Sequence, residues 1–438
     1  MRSKACLESM DVYVFCIDEE SGRNSLKFPL PQIPNGFAAV HRLVQFMTQE
    51  IGTITMEHLL LTGATGLLGR YLMKDLLSSG KKMAVLVRPS RKFDAETRVE
   101  AAMKVWDNLL GYEVPRPVVL SGDINKPDLG LSGPEIKWTA ENCRSIIHNA
   151  ASLSFVSTGR DSEPWRSNVD GTANVLEFCQ EAGIQEFFHV STAYVAGLRQ
   201  GRIFETELNE GQAFGNPYEE SKVMAEEMVR GSKFIDSLTV FRPAIILGDS
   251  QTGLTFTYHN FYAVLQLALT IGHSMAERHF SGKIDGTVFH LNATGSERKN
   301  FVPVDWVSEA MTEIVNDSSL HGQTYHLTPR VPITTRLLRD IMEEVVGSFG
   351  LGIGANAKSP SERTELEDVF FKHMEVYESY WKDDPEFDST NTQTALPHLP
   401  CPHVDREMLI RMSAAAMEKG FNWRDPKVEK ADLAPVLV

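Results

Sequence analysis

Residues 58–69 read His-Leu-Leu-Leu-Thr-Gly-Ala-Thr-Gly-Leu-Leu-Gly, an apolar strand running into a turn with glycines at 63, 66 and 69. Few short segments constrain a fold so tightly. A strand that ends in this turn and continues as a helix, here from about Leu67, needs Gly63 for the tight bend. It needs Gly66 for close approach of the backbone to a pyrophosphate, and Gly69 for helix–strand packing. The helix start then offers unpaired N–H groups and a positive dipole end to phosphate. Thr62, Gly63, Thr65, Gly66, Leu67, Leu68 and Gly69 are therefore the first candidate nucleotide contacts. A glycine turn alone is a weak signal. Far downstream, Tyr218-Glu-Glu-Ser-Lys222 supplies a Tyr-x-x-x-Lys pair, and a strand ending Val190-Ser191-Thr192 lies between the two. The combination is specific.

From residue 57 onward apolar runs alternate with helical patterns, which predicts βαβ units and a parallel sheet. Strands are expected at His58–Leu61, Lys82–Val87, Pro117–Leu120, Ser145–His148, Glu186–Val190 and Ser237–Phe241. Helices are expected near 67–79, 93–111, 166–182 and 216–231. These short strands read as continuous Val/Ile/Leu/Phe runs, as strands covered by helices on both faces do. Past residue 250 the pattern loosens to a helix at Phe261–Ile271, a strand at Asn300–Val304, and helices at Val304–Val315 and Thr334–Val346. The expected class is α/β, a doubly wound Rossmann-type parallel sheet with a smaller, mainly helical C-terminal part. Residues 1–55, with three prolines and only Phe37–Gln49 helical in pattern, read as a loosely ordered extension ahead of a fold that starts at Met56.

The tail carries Leu366, Val369, Phe370, Met374, Tyr377, Tyr380 and Trp381 at helical spacing over Glu365–Lys382. Such a stripe either packs on the parent domain or covers an apolar substrate as a lid. A Pro-rich link and a second helix at Asp405–Lys419 follow. In that link, His398, Cys401 and His403 lie too close together, with prolines between, for a tetrahedral zinc site, and no metal is expected.

Net charge is −15 without a basic tract, so nucleic acid is not an expected partner. Five scattered cysteines suit a reducing compartment, and a cytoplasmic location is expected. No apolar run reaches the roughly 20 residues of a membrane span, which leaves peripheral contact with lipid open.

The second strand ends Leu86-Val87-Arg88-Pro89-Ser90-Arg91-Lys92, with no carboxylate before Asp94. An acidic residue there would grip a ribose 2′-OH, whereas arginine accommodates a 2′-phosphate. The pattern predicts NADPH, with Arg88 first and Arg91 second as phosphate ligands. Asp123, followed by Ile124, closes the third strand where an adenine amino group would lie, although a turn-capping aspartate reads equally well. Asn149, Ala150 and Ala151 end the fourth strand with side chains small enough for a diphosphate-ribose to pass.

Thr192, Tyr218 and Lys222 form the candidate catalytic set. Tyr218 and Lys222 share one helix face about a turn apart. A free phenol titrates near 10, and a neighbouring ammonium favours its ionised form, which would bring it toward useful acid/base range. Thr192 and Tyr218 would then polarise one carbonyl oxygen while Lys222 also holds a ribose.

Thr62–Gly69, Asn149-Ala150-Ala151, Ser191-Thr192, Tyr218-x-x-x-Lys222 and Arg242-Pro243 together resemble an extended short-chain dehydrogenase/reductase. Phe241–Gly253 and Asn300–Val307 resemble its thioester-reductase and fatty-acyl-reductase branch, the male sterility type. The resemblance covers roughly residues 57–350. It implies that Asn168 is the helix-borne asparagine of extended members, and that Pro243 and Ile245 border the nicotinamide, with Ser191, Tyr218 and Lys222 also facing the cofactor. It implies a nucleotide-binding and catalytic domain at 56–250 and a substrate-binding part at 251–355; the helical tail or lid expected at 356–438 lies outside the resemblance. The implied activity is NADPH-dependent reduction of an acyl thioester, carried by coenzyme A or an acyl carrier, to an aldehyde or alcohol. Alternatives are a sterol or secondary-alcohol dehydrogenase, a sugar-nucleotide reductase or epimerase, and a non-catalytic NADP(H)-binding regulator. By analogy with the fold, monomer and homodimer both remain open.

Overall fold

Seven short runs, β1 (His58–Thr62), β2 (Met83–Val87), β3 (Val118–Ser121), β4 (Cys143–His148), β5 (Glu186–Val190), β6 (Ser237–Pro243) and β7 (Thr324–Leu327), hydrogen-bond in the order β7-β6-β5-β4-β1-β2-β3. Every neighbouring pair is parallel. This is a doubly wound α/β sheet. Its direction reverses between β1 and β4, where such sheets open a crevice at their carboxyl ends. The computed structural model describes residues 57–280, 289–291, 293–347, 351–353, 363, 368, 371–372 and 382–428. The chain divides into two compact units, Met1–Thr55 and Met56–Val438. The first unit, with its expected helix at Phe37–Gln49, lies outside the described residues, as does the apolar stripe expected over Glu365–Lys382.

The helices are α1 (Leu67–Ser78), α2 (Ala95–Leu110), α3 (Gly133–Asn142), α4 (Gly171–Ala182), α5 (Pro217–Gly231), α6 (Phe261–Phe280), α7 (Val304–Asn316), α8 (Thr335–Val346) and α9 (Arg406–Glu418). On one sheet face, Leu72 of α1, Met103 and Trp106 of α2 and Met311 of α7 pack on Leu59, Leu61 and Val85. On the other, Val175 and Phe178 of α4 and Val229 of α5 pack on Leu60, Ile146 and Phe187. Burial on both faces is why these strands are apolar throughout rather than alternating. A second core joins Leu265 of α6, Ile341 of α8 and Met412 of α9 to Tyr194 and Ile245 beside the crevice.

Several elements depart from expectation. The edge strand β7 is not signalled by its sequence, because Thr-Tyr-His-Leu is too short and polar to read as a buried run. Helix α3 is also unanticipated, although Pro134 in its first turn and Glu135, which accepts from Ser132 N at 2.8 Å, are helix-start signals. The expected helix at 166–182 opens with one π turn at Arg166–Asp170 before α4 begins. Helix α6 runs on to Phe280.

The edge of the sheet is covered. Residues Glu386–Phe387 pair in parallel with Arg202–Ile203, and the short helix Thr390–Ala395 follows. Asn391 Nδ2 donates to Thr324 O (2.9 Å), Thr392 Oγ1 donates to His326 O (3.0 Å), and His326 N donates to Glu205 Oε1 (2.8 Å). Side chains thus satisfy the outward backbone groups that an open edge strand would present.

Candidate active site

The glycine turn leaves β1 with Gly63 at φ +70°, in the left-handed region that glycine adopts freely. A Cβ on Gly63 would lie 2.8 Å from the Ala150 backbone, so the turn presses against the end of β4. A Cβ on Gly69 would lie 2.1 Å from Gly63 O, so α1 also closes onto the turn. Gly66 differs. A Cβ there would meet only Gly63 O at 3.4 Å, an ordinary contact. Nothing among the described residues requires glycine at 66, and the space it leaves open faces the crevice. An absent side chain, a helix N-terminus and adjacent small residues make a cradle suited to a pyrophosphate.

The crevice is a cleft of about 690 Å³ running from this turn to Tyr218. Gly63, Thr65, Gly66, Leu67 and Leu68 line it, as do Arg88, Asp123, Ile124, Asn149, Ala150 and Ala151. Ser191, Thr192, Tyr218, Lys222, Pro243 and Ile245 line its other end. Thr62 and Gly69 lie beneath the surface. Thr62 Oγ1 accepts from Asn149 N and Ala150 N, both at 3.1 Å, and stands 2.9 Å from His148 Nδ1. Because its lone pairs are engaged, the Thr62 hydroxyl proton goes to the histidine. Burial holds that histidine neutral, down to about 3, with the Lys222 charge adding to the effect. Its Nε2 then donates to Thr172 Oγ1 at 3.0 Å, and Thr172 donates to Asn168 O at 2.7 Å.

Arg91 is not part of the lining. It is exposed on the Ser90–Phe93 turn, which Ser90 closes by accepting from Phe93 N at 2.9 Å. Arg98 of α2 lines the cleft instead. Its Nη2 donates to Thr65 Oγ1 at 2.9 Å, and its Nη1 bonds Arg88 O. Burial and the neighbouring Arg88 and Arg70 charges lower its pKa, against the opposing Asp425 charge. Arg98 lies one turn into a helix capped by Asp94, which accepts from Thr97 N at 2.8 Å. That cap signal, with a cation four residues on, could have drawn attention to it. Arg88 is 65% exposed, with Nη1 3.8 Å from Asp123 Oδ2, while Asp123 Oδ1 caps its own turn by accepting from Asn125 N at 3.1 Å.

At the other end, Asn216 caps α5 by accepting from Glu219 N, with Pro217 at the first helical position. Tyr218 and Lys222 therefore project from the first two turns of this helix. Lys222 is buried, and its Nζ donates to Val190 O at 2.7 Å. The lysine turns toward the carboxyl end of β5 rather than ionising the phenol. Tyr218 is pushed up, not down, to about 12. Desolvation dominates, a hydrogen bond with the Thr192 hydroxyl opposes it, and the Glu219 charge adds to it. Burial in turn lowers Lys222 to about 8, against the stabilising Glu226 charge. With the cleft open, the phenol is a neutral O–H donor, and beside it burial brings Lys222 down to about 8 and Glu219 up to about 7.

Asn168 ties this end together. It accepts from Ser152 N at 2.7 Å and donates to Ser152 O and to Ser221 Oγ, while Ser221 donates to Tyr218 O at 2.7 Å. The π turn presents Asn168 to both the β4 loop and α5. Deeper in α5, Glu226 and Arg242 form a bidentate pair with both side chains fully buried, 2.6 Å at the shorter contact. Arg242 Nη1 also donates to Glu207 O, so each of its three nitrogens has a partner. Tyr194, in the cleft wall, donates to Asp384 at 2.7 Å. Asp384 also holds Lys299 Nζ at 2.8 Å and Asn300 N at 3.0 Å. The mouth of the cleft is apolar: Leu153 and Val156 are 53% and 60% exposed, and Phe155 meets Tyr218 edge-on at 5.9 Å.

Among the described residues no group of three or more His, Cys, Asp or Glu converges as a metal site, and His398 instead lies 2.8 Å from Glu313. No helix among them is long and apolar enough to cross a membrane.

Comparison with known proteins agrees with this geometry. The non-canonical nonribosomal peptide synthetase cpsA of Aspergillus campestris is 29% identical over 292 residues, 61% of this chain and 25% of the synthetase. The fatty acyl-CoA reductase wat of Drosophila melanogaster is 25% identical over 287 residues, 57% of this chain and 52% of that protein. The chain thus spans a quarter of one of these relatives and about half of the other. Among solved structures, the terminal R domain from the myxalamid PKS-NRPS biosynthetic pathway superposes with a TM-score of 0.66 at 26% identity, covering 84% of this chain and 92% of that domain. The family described as male sterility protein matches residues 61–311, from β1 into α7. That span holds the reversal point of the sheet, the glycine turn and the Tyr-x-x-x-Lys helix, and the chain belongs to this family of extended short-chain dehydrogenase/reductases, with its NAD(P)-binding domain.

Proposed function

We propose that this chain is an NADPH-dependent oxidoreductase that reduces the carbonyl of an acyl thioester, borne by coenzyme A or an acyl carrier, to an aldehyde or onward to an alcohol. The observation that carries the reading is the meeting of Thr192, Tyr218 and Lys222 with the glycine turn in one cleft whose mouth is apolar. The dinucleotide, when bound, supplies hydride.

The chain's own groups do the rest. Gly66 and the N-terminus of α1 receive the pyrophosphate. Arg88 and Arg98 sit where a 2′-phosphate would enter, and this favours NADPH over NADH. The Thr192 and Tyr218 hydroxyls hold the thioester oxygen as it gains negative charge, and such donors contribute several kcal/mol to an oxyanion. Tyr218 is protonated at neutral pH, the form a reductive proton donor requires. Collapse of the resulting thiohemiacetal reforms the carbonyl as aldehyde and expels the thiol. Leu153, Phe155 and Val156 offer an apolar path to the acyl chain.

The test is NADPH oxidation by purified protein across acyl-coenzyme A and acyl-carrier thioesters, with aldehyde trapped. Oxidation with aldehyde or alcohol formed is the expected result. Absence of turnover with every thioester, with NADP⁺ reduction by a secondary alcohol instead, would overturn it, since the same three side chains serve that chemistry.

A further inference from the structure

The dinucleotide turn is gripped by a residue from a distant part of the chain. Arg70, on the first turn of α1, donates through Nε to Thr65 O at 3.0 Å. Its two Nη atoms meet the two Asp425 carboxylate oxygens at 2.6 and 2.8 Å, a fork-to-fork pair across 355 residues of sequence. The Arg70 side chain is only 7% exposed, and its guanidinium stacks 4.7 Å from the Phe256 ring centroid. Trp423 meets the same ring at 4.7 Å and donates to Asp425 Oδ1 at 2.8 Å. Thr65 is therefore held twice, by Arg70 on its carbonyl and by Arg98 on its hydroxyl. It lies between Gly63 and Gly66, in the turn that lines the cleft and that Gly66 N closes by donating to Gly63 O at 3.1 Å.

We propose that Asp425 is a positioning residue for the dinucleotide: by fixing the Arg70 fork it sets the Thr65 carbonyl, and with it the direction of the turn's N–H groups toward the pyrophosphate. The proposal rests on the dinucleotide occupying the cleft at the glycine turn. An ordinary surface ion pair contributes little, but this one is bidentate and aromatic-packed, and its guanidinium also bonds the turn's backbone. Because Arg70 bonds the pyrophosphate turn itself, NADPH and NADH both depend on the contact.

The experiment measures NADPH and NADH binding by fluorescence and calorimetry in the full chain carrying Asp425→Asn or Asp425→Glu, alongside dinucleotide-free melting. Asp425→Asn should raise both dissociation constants about tenfold. The melting point should move by no more than a few degrees, and Asp425→Glu should restore most of the affinity. Should Asp425→Asn not fold, Arg70→Lys, which keeps the charge but loses the fork, should show the same paired loss. Unchanged affinity would overturn the proposal. Tighter binding would also overturn it, by showing that Asp425 withholds Arg70 from phosphate. A loss confined to NADPH would place the effect at Arg98 and the 2′-phosphate instead. A wild-type chain that binds neither dinucleotide would overturn the reading of the cleft itself.

Discussion

A Cβ on Gly69 would lie 2.1 Å from a backbone oxygen, whereas at Tyr218 the side chain has room and its character is set by neighbours. The two ends of the cleft are built on different principles. At the glycine turn, residues close in sequence pack backbone against backbone, and shape does most of the work. At Tyr218, the phenol answers to burial, Thr192 and Glu219, while the wall at Tyr194 is pinned by Asp384 and Lys299. That end is electrostatic and assembled from distant segments. Substitutions at the first end should act through fit, and those at the second through charge and proton position.

The largest expected effect belongs to the tyrosine. Tyr218→Phe keeps the ring but removes the proton, and should lower kcat by about two to four orders of magnitude while dinucleotide binding persists. A mild loss in steady-state assays would end its assignment as the proton donor.

Next comes a pair that separates packing from ligand space. Gly69→Ala should destabilise the fold by about 3 kcal/mol or more, read in denaturant melts, because backbone atoms have to move. Gly66→Ala should leave the melt nearly unchanged while dinucleotide affinity falls about tenfold or more, since its Cβ meets space that only a ligand fills. Equal effects of the two substitutions on stability would erase the contrast.

A smaller change is expected at the arginines. Arg98→Ala and Arg88→Asp should each shift the NADPH/NADH ratio of kcat/KM by about one to two orders of magnitude, and Arg91→Ala should leave it alone. The smallest effect is a pH limb. Lys222 in the free protein titrates at about 8, below its ordinary value of 10.5. The ammonium is therefore present below pH 8 and lost above it, so kcat/KM should decline on that side. A profile that stays level to pH 10 would remove Lys222 from the proton balance.

Much of the first end is legible in the chain because its causes are local. The β1 run, the glycines and the four-residue spacing of Tyr218 and Lys222 are short-range patterns, and the six expected strands are present within a residue or two at most ends. The second end is less legible. Thr324–Leu327 becomes a strand only because β6 offers a paired edge and residues 391 and 392 cover the other side. Arg98 lines the cleft and Arg91 does not, because a helical residue four positions past a cap reaches back to Thr65, whereas Arg91 faces solvent on a loop. The expectation that an ammonium would lower the phenol fails for a related reason. Helical spacing places Lys222 near Tyr218, but the β5 carbonyl and burial decide where its proton points and how strongly it is held.

Arg70 meets a partner made 355 residues later. At about 5–20 residues per second, synthesis leaves roughly 20–70 s between the two. Within that interval the sheet is completed at Leu327, the Asp384 anchor under Tyr194 and the cover over β7 follow, and the clamp on Thr65 is made last. A nascent chain is therefore a Rossmann core with an open edge and an unset nucleotide turn. Dinucleotide affinity is expected to appear late in biogenesis, as the last segments dock, and a stalled or truncated product would fold its first half without gaining the cofactor that would stabilise it.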